Sequence, residues 1–418
     1  MQVILRESPS DNFSVRYTEF HPLSNGFLWK TDRTGYQQYG LYTWSGKFVR
    51  NVTPGNTVAR EIHSIDRNTK SILYASYDDA SVRNPRQIRI KRAFWETGRS
   101  VPLDREDAHH EVSVSPSGEF YVDTYSRADL APTMVVRNAD GRVVMTVERS
   151  DVGPLLATGW RAPERIRVMA ADDKTPLYGV LWTPTEKSDE KLPIVTHVYP
   201  GPSGENPPYR FMPGHSDGQL AQLGFAVLRV GQRGGTFVRG KAYQRYPLTV
   251  RSVRDYPIAD NMAAIRAVAK THTSLDLDKV GIMGHSGGGF MAATAILSKP
   301  DFYKVAISAS GNHDNNIYEM GSGEYHFGNP FSGPAGSPNG FAVNQDLAAG
   351  LQGKLLLIHG ALDSDVDMGH SYRLMQALIE NGKTFDTLIM PRQRHDFTGT
   401  DADYVEKRSW AYLIENLQ

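Results

Sequence analysis

The stretch Lys279-Val-Gly-Ile-Met-Gly-His-Ser-Gly-Gly-Gly-Phe-Met-Ala-Ala-Thr-Ala295 joins two kinds of pattern at one serine. Lys279 to Met283 is a short apolar run without alternation, as a strand buried on both faces requires. Phe290 to Ala295 reads as a helix. Between them, Gly284-His285-Ser286-Gly287-Gly288 has the form G-x-S-x-G, and a strand-turn-helix setting is what a nucleophile elbow needs. The glycines have a steric reason, because a bulky neighbour in so sharp a turn would collide with the helix or the adjacent strand.

The same texture extends on both sides of this segment. Leu192 to Tyr199, Phe225 to Val230, Val305 to Ser308 and Lys354 to His359 are further unalternating apolar runs. Ile258 to Lys270 and Ser371 to Asn381 carry apolar residues at helical spacing, so the chain after Pro163 predicts a parallel α/β sheet. A serine hydroxyl needs a histidine to take its proton and a carboxylate to orient that histidine, and in a sheet of this kind they follow in the order serine, acid, histidine. Asp363 lies just beyond the run that ends at His359-Gly360, and His395 lies in the loop after Asp386 to Met390. Ser286, Asp363 and His395 are therefore the expected triad. Asp365 and Asp367 compete for the acid role but are farther from the strand end. His359 ends a buried strand and reads as a core residue, while His370 begins a helix and is expected to face water. The Gly287 amide is the first expected oxyanion donor, and the second should come from His197-Val198-Tyr199-Pro200-Gly201-Pro202, where Tyr199 reads equally as donor or packing residue.

Before Ser150 the pattern changes. From Tyr17 onward short alternating segments are broken by turn residues, the signature of antiparallel β-structure. Gly26-Phe-Leu-Trp-Lys30 leading to Gly40-Leu-Tyr-Thr-Trp44, then Ser71-Ile-Leu-Tyr-Ala-Ser76, then Ser115-Pro-Ser-Gly-Glu-Phe-Tyr-Val122 repeat a polar turn with an aromatic strand. Repeats of about 40 residues built from strands point to propeller blades. The expected organisation is a partial β-propeller over 1–150 with about three to four blades, a linker over 151–163 and the α/β domain over 164–418.

Composition narrows the function. The 418 residues carry 46 Lys+Arg against 46 Asp+Glu, so no net charge is present to hold a nucleic acid or an anionic membrane surface. The absence of cysteine excludes disulfides, thiolate metal sites and a cysteine nucleophile. His109-His110 and His313 with His326 lack a supporting carboxylate pattern and sit on turn-rich segments, so they read as surface or packing residues and no metal is expected. Met1 to Ser10 contains Arg6 and Glu7 and no apolar run of signal-peptide length, and no stretch approaches the ~18 apolar residues of a membrane span. As written the chain is expected to be cytoplasmic.

Together with G-H-S-G-G-G-F at 284–290, the segments H-V-Y-P-G-P at 197–202, G-Q-R-G-G at 231–235, A-D-N at 259–261, G-N-H-D-N-N-I-Y at 311–318 and H-G-A-L-D-S-D-V at 359–366 make nearly the whole chain resemble the prolyl oligopeptidase family of serine peptidases, nearest its dipeptidyl peptidase IV branch. The resemblance implies a C-terminal α/β-hydrolase domain and an N-terminal β-propeller that keeps out large folded proteins. It implies Ser286, Asp363 and His395 as the catalytic three, with Tyr199 as a side-chain oxyanion donor. Tyr318 and Val366 are the positions implied for a substrate pocket, and no cofactor is implied.

The chain departs from that pattern in several places. About 150 residues suffice for roughly half a family propeller at ~40 residues per blade. The expected consequences are a homo-oligomer that pairs exposed strand edges, aggregation, or a piece lacking its N-terminal propeller half, which is favoured. With a longer natural chain, a periplasmic location is expected instead. No Glu-Glu pair occurs to hold a substrate amino group, and Gly287 replaces an aromatic residue. The tryptophan of the family's proline pocket is missing near Asp314, and Asp365 and Asp396 stand where that branch has asparagine and glycine. The function expected is hydrolysis of peptide bonds in short peptides through an acyl-enzyme, with dipeptidyl or prolyl specificity. The alternatives are an esterase or acyl-peptide hydrolase, and an inactive hydrolase-fold binding protein.

Overall fold

Ser115-Pro-Ser-Gly118 shows how the N-terminal strands are made. Gly118 takes φ +74°, which an L side chain would resist, and its N–H donates to the Ser115 carbonyl at 2.9 Å, closing a turn between two antiparallel strands. The computed structural model describes residues 3–7, 18–77, 83–186, 190–201, 204–250, 254–319, 321, 323 and 341–418; His326 and Pro202 lie outside them. Successive hairpins give three four-stranded antiparallel sheets. The first contains β1 (Phe20–Leu23), β2 (Gly26–Thr31), β3 (Gln38–Tyr42) and β4 (Phe48–Asn51). The second contains β5 (Ala59–Asp66), β6 (Ser71–Tyr77), β7 (Ile88–Phe94) and β8 (Arg99–Pro102). The third contains β9 (His109–Val114), β10 (Phe120–Arg127), β11 (Leu130–Asn138) and β12 (Val143–Arg149).

Neighbouring sheets share their cores. Leu28 and Tyr39 of the first pack with Ile72, Tyr74 and Ala93 of the second. Leu73, Ala75, Ile88 and Ile90 of the second pack with Tyr121 and the partly buried Val112 and Val114 of the third. Stacked four-stranded sheets of this kind are the propeller architecture. Gly153–Ala157, inside the segment 151–163, forms one short helix.

An eight-stranded sheet organises the rest of the chain, in the order β13 (Glu164–Met169), β14 (Pro176–Trp182), β16 (Ala226–Val230), β15 (Leu192–Val198), β17 (Leu275–His285), β18 (Tyr303–Ala309), β19 (Lys354–Gly360) and β20 (Asp386–Met390). The pairs β13·β14 and β14·β16 are antiparallel, and all the others are parallel. Its principal helices are α1 (Asp255–Thr271), α2 (Gly287–Ser298), α3 (Gly369–Glu380) and α4 (Gly399–Leu417). On one face Met291, Ala292, Ala295 and Ile296 of α2 join the core. At Gly281 a Cβ would meet Leu417 at 2.9 Å and Leu413 at 3.3 Å, which shows how tightly α4 packs on β17. From β15 the chain steps outward to β16 and then returns to the other side as β17, so strand order reverses between β15 and β17. Ligand sites in open α/β sheets form beyond the carboxyl ends of strands at such a switch point.

The chain divides into two compact units, Met1–Trp160 with Tyr209–Met212 and Phe237–Gln244, and Arg161–Pro208 with Pro213–Thr236 and Arg245–Gln418. Among the described residues, no helix is long and apolar enough to cross a membrane.

Candidate active site

Ser286 sits between the last residue of β17 and the first of α2 at φ 58°, ψ −123°. That backbone is strained for a residue with a side chain, at roughly 1–3 kcal/mol, and it is held at both ends. Its N–H donates to Ala309 O at 2.8 Å across the β17·β18 pair, and its carbonyl accepts from Phe290 N at 3.0 Å. The surrounding glycines are required by close approach. A Cβ on Gly288 would lie 2.2 Å from Val198 O, one on Gly284 2.5 Å from the Gly288 backbone, and one on Gly289 2.4 Å from Ala309 O.

Asp363 follows the end of β19 and is buried. Its Oδ1 accepts from the amides of Asp365 and Val366, both at 2.9 Å. Its Oδ2 meets His395 Nδ1 at 2.8 Å and His359 Nε2 at 3.2 Å. Burial alone would raise the carboxyl's pKa, but the His395 contact and the two amides hold it below the ordinary value. Two loops are joined to bring acid and imidazole together. Ala361 N donates to Met390 O at 2.9 Å and Leu362 N to Gln393 O at 3.0 Å. Gly360 has no side chain where a Cβ would fall 2.3 Å from Arg394 O. The Asp365 and Asp396 side chains are exposed.

Tyr199 follows β15. A Cβ on Gly287 would stand 3.8 Å from its ring and 3.5 Å from Gly201 O, so the phenol lies beside the first residue of α2. Burial raises the phenol's pKa, keeping it a donor at neutral pH. Tyr318 packs edge-on to His370 with ring centroids 6.0 Å apart, and burial raises its pKa too, with the charges of Glu319, Asp365 and Asp363 adding to the effect. Val366 is buried, its N–H donating to Asp363 Oδ1 at 2.9 Å and its carbonyl accepting from His359 Nε2 at 2.8 Å.

His370 corrects the expectation that it faces water. It is buried, and its Nδ1 accepts from Asp314 N at 3.2 Å, because the first turn of α3 is covered by the loop after β18. His109 and His110 begin strand β9 instead of lying on a turn, and His110 Nδ1 contacts both oxygens of buried Asp123 at 3.0 Å. His313 is buried against Asn344, whose amide nitrogen lies 3.1 Å from Nδ1. No group of three or more His, Asp or Glu among the described residues is arranged to hold a metal. His359 is a satisfied core residue, with Ser371 Oγ 2.7 Å from Nδ1, but it also touches the acid, a contact with no trace in the sequence pattern.

A serine on a strained elbow at a sheet switch point, with an aspartate–histidine pair on the loops after later strands, defines the α/β-hydrolase class. Residues 215–418 match the model of the prolyl oligopeptidase family, and residues 2–132 match that of the dipeptidyl peptidase IV N-terminal region. The two matched regions together support a likeness to the prolyl oligopeptidase family. It is 28% identical over 246 residues to dipeptidyl peptidase 8 of Homo sapiens, covering 58% of this chain and 27% of that one. It is 23% identical over 372 residues to inactive dipeptidyl peptidase 10 of Rattus norvegicus, covering 84% and 45%. The chain thus spans about a quarter to a half of the length of these relatives. In fold it resembles the crystal structure of Porphyromonas gingivalis dipeptidyl peptidase 4, with a TM-score of 0.83 at 21% identity over 99% of this chain and 58% of that one.

Proposed function

We propose that this chain is a serine peptidase acting on short peptides, with residues 164–418 as its catalytic domain, 1–150 as a partial propeller and 151–163 joining them. The observation that carries the reading is the strained Ser286 elbow together with the 2.8 Å contact between His395 and buried Asp363. Ser286 Oγ attacks the scissile carbonyl while His395 takes its proton, then returns it to the leaving amine. Water hydrolyses the acyl-serine with His395 again as base. Asp363 fixes the imidazole, and its depressed pKa keeps it an acceptor at neutral pH.

The oxyanion would be held by the Gly287 amide, which has no acceptor within its own helix, and by the protonated Tyr199 hydroxyl. Tyr318 and Val366 are proposed to border the pocket for the residue before the cleaved bond. Dipeptidyl specificity is proposed from the names of the relatives, although the Glu-Glu pair of that branch is absent from the chain.

A second reading, an inactive binding protein, is prompted by the inactive relative that aligns with 84% of the chain. Ser286, Asp363 and His395 are all present here, which favours turnover. The test is hydrolysis of Gly-Pro chromogenic substrates with free and blocked amino termini, and of a simple acyl ester, by the chain and its Ser286→Ala variant. Ser286-dependent cleavage preferring the free amine is expected. Turnover of the ester alone would replace the peptidase with an esterase, and no turnover of any substrate would support the inactive reading.

A further inference from the structure

Asp363 holds the His395 ring at Nδ1, but a ring fixed only there still moves with its main chain. The main chain has its own anchor. His285 Nε2 lies 2.7 Å from the His395 carbonyl oxygen, and Ser310 Oγ lies 3.3 Å from the same atom. A carbonyl only accepts, so His285 carries its hydrogen on Nε2 and Ser310 donates its hydroxyl hydrogen. The two imidazoles pack with centroids 4.7 Å apart, and Phe397 closes on His285 at 5.9 Å. Burial lowers the His285 pKa, consistent with a neutral ring in that tautomer, while His395, Asp396 and Asp363 are the titratable groups whose charges reach it.

His285 is the residue immediately before Ser286, so its side chain links the nucleophile's own segment to the backbone of a residue 110 positions later. Ser310 is equally well placed to hold its end. It is fully buried just beyond β18 at φ 44°, with its N–H donating to Ile358 O at 2.8 Å. We propose that His285, seconded by Ser310, is a positioning residue that fixes the main chain of His395 relative to Ser286 Oγ. The inference rests on the reading of Ser286, Asp363 and His395 as a triad.

The rate constant for covalent labelling by a fluorophosphonate measures alignment of the folded site, whereas its amplitude counts folded sites. His285→Phe keeps an aromatic ring against His395 and Phe397 without a donor, and His285→Gln supplies an amide donor. In the full chain, His285→Phe is expected to lower the rate constant by about 10- to 100-fold, in proportion to a sub-ångström to ångström displacement of the base. His285→Gln should return it to within about threefold of wild type, and Ser310→Ala should lower it about fivefold. With chromogenic substrate the loss should fall on kcat and leave KM unchanged. A His285→Phe rate constant equal to wild type at any amplitude, or His285→Gln no faster than His285→Phe, overturns the proposal. Should His285→Phe not fold, an unchanged rate constant in Ser310→Ala overturns it and a slowed one supports it. Absence of labelling in the wild-type chain would overturn the triad reading itself, and this inference with it.

Discussion

Both compact units bury carboxylates against cations or imidazoles, but they use them differently. In the third N-terminal sheet, Asp123 on β10 accepts from Arg137 Nε on β11 at 2.7 Å and contacts His110 on β9. Arg137 continues to Glu106 at 2.8 Å and to Gly141 O at 3.1 Å. The central pair, Arg137 and Asp123, is 3% and 0% exposed, and its partners come from adjacent strands of one sheet or from the turns beside them. In the hydrolase unit Asp363 is equally buried, yet the imidazole it holds reaches the surface at 16% exposure, in a loop tied to the segment of a strained serine. The comparison teaches that a buried carboxylate is structural when the groups bonded directly to it, here Arg137 and His110, are themselves enclosed in one sheet, and points to chemistry when its partner opens toward a strained serine at strand ends.

The largest effect that sharpens this contrast is at the proposed acid, Asp363. Asp363→Asn is expected to lower kcat by about 10⁴-fold with little change in melting temperature, because the amide favours the wrong imidazole tautomer; activity within tenfold of wild type would break the comparison. Next is the proposed oxyanion donor. Tyr199→Phe removes one hydroxyl and should lower kcat by about 10²- to 10³-fold with KM nearly unchanged, measured by steady-state kinetics.

On the structural side, Arg137→Met leaves Asp123 buried without its guanidinium. It should destabilise the N-terminal unit by about 3–5 kcal/mol in chemical denaturation. Ser286 in the protein that remains folded should label at the wild-type rate constant. A change in that rate constant would show that the clamp is not purely structural.

How much of this could be read from residues alone follows from the same division. The central parallel strands appear as continuous apolar runs because both faces are covered, as in Lys354–Gly360, where every residue after Lys354 is buried. β17 is longer than its apolar run, since Asp276, Asp278 and Lys279 at its start are not buried and interrupt the pattern. β12 gives no alternation at all, because all seven of its residues are exposed at a sheet edge. Among the proposed site residues, Ser286, Asp363 and His395 are marked by motif and position after successive strands. The His285 and His359 contacts leave no such mark, because they arise where loops meet in space. The enclosure of His370 leaves no mark for a related reason, as the start of a helix says nothing about the loop that covers it.

The smallest effect concerns the buried imidazoles around α3. Burial lowers the pKa of His313 to about 3 and of His370 to about 4, against an ordinary value of 6.5. Below about pH 6.5 the unfolded chain takes up protons there while the folded protein leaves both rings neutral, so acid favours unfolding. The melting temperature should therefore fall steadily from pH 7 to pH 4.5. His313→Gln, which cannot titrate, should make that slope shallower, and an unchanged slope would remove His313 from the account.

The most direct test of the central claim is intact-mass analysis after fluorophosphonate treatment, with the modified residue mapped by proteolysis. An activated serine at the elbow predicts one adduct per chain on Ser286, absent from Ser286→Ala and formed far more slowly in Asp363→Asn. No adduct on the wild-type chain, or one that persists in Ser286→Ala, would contradict it.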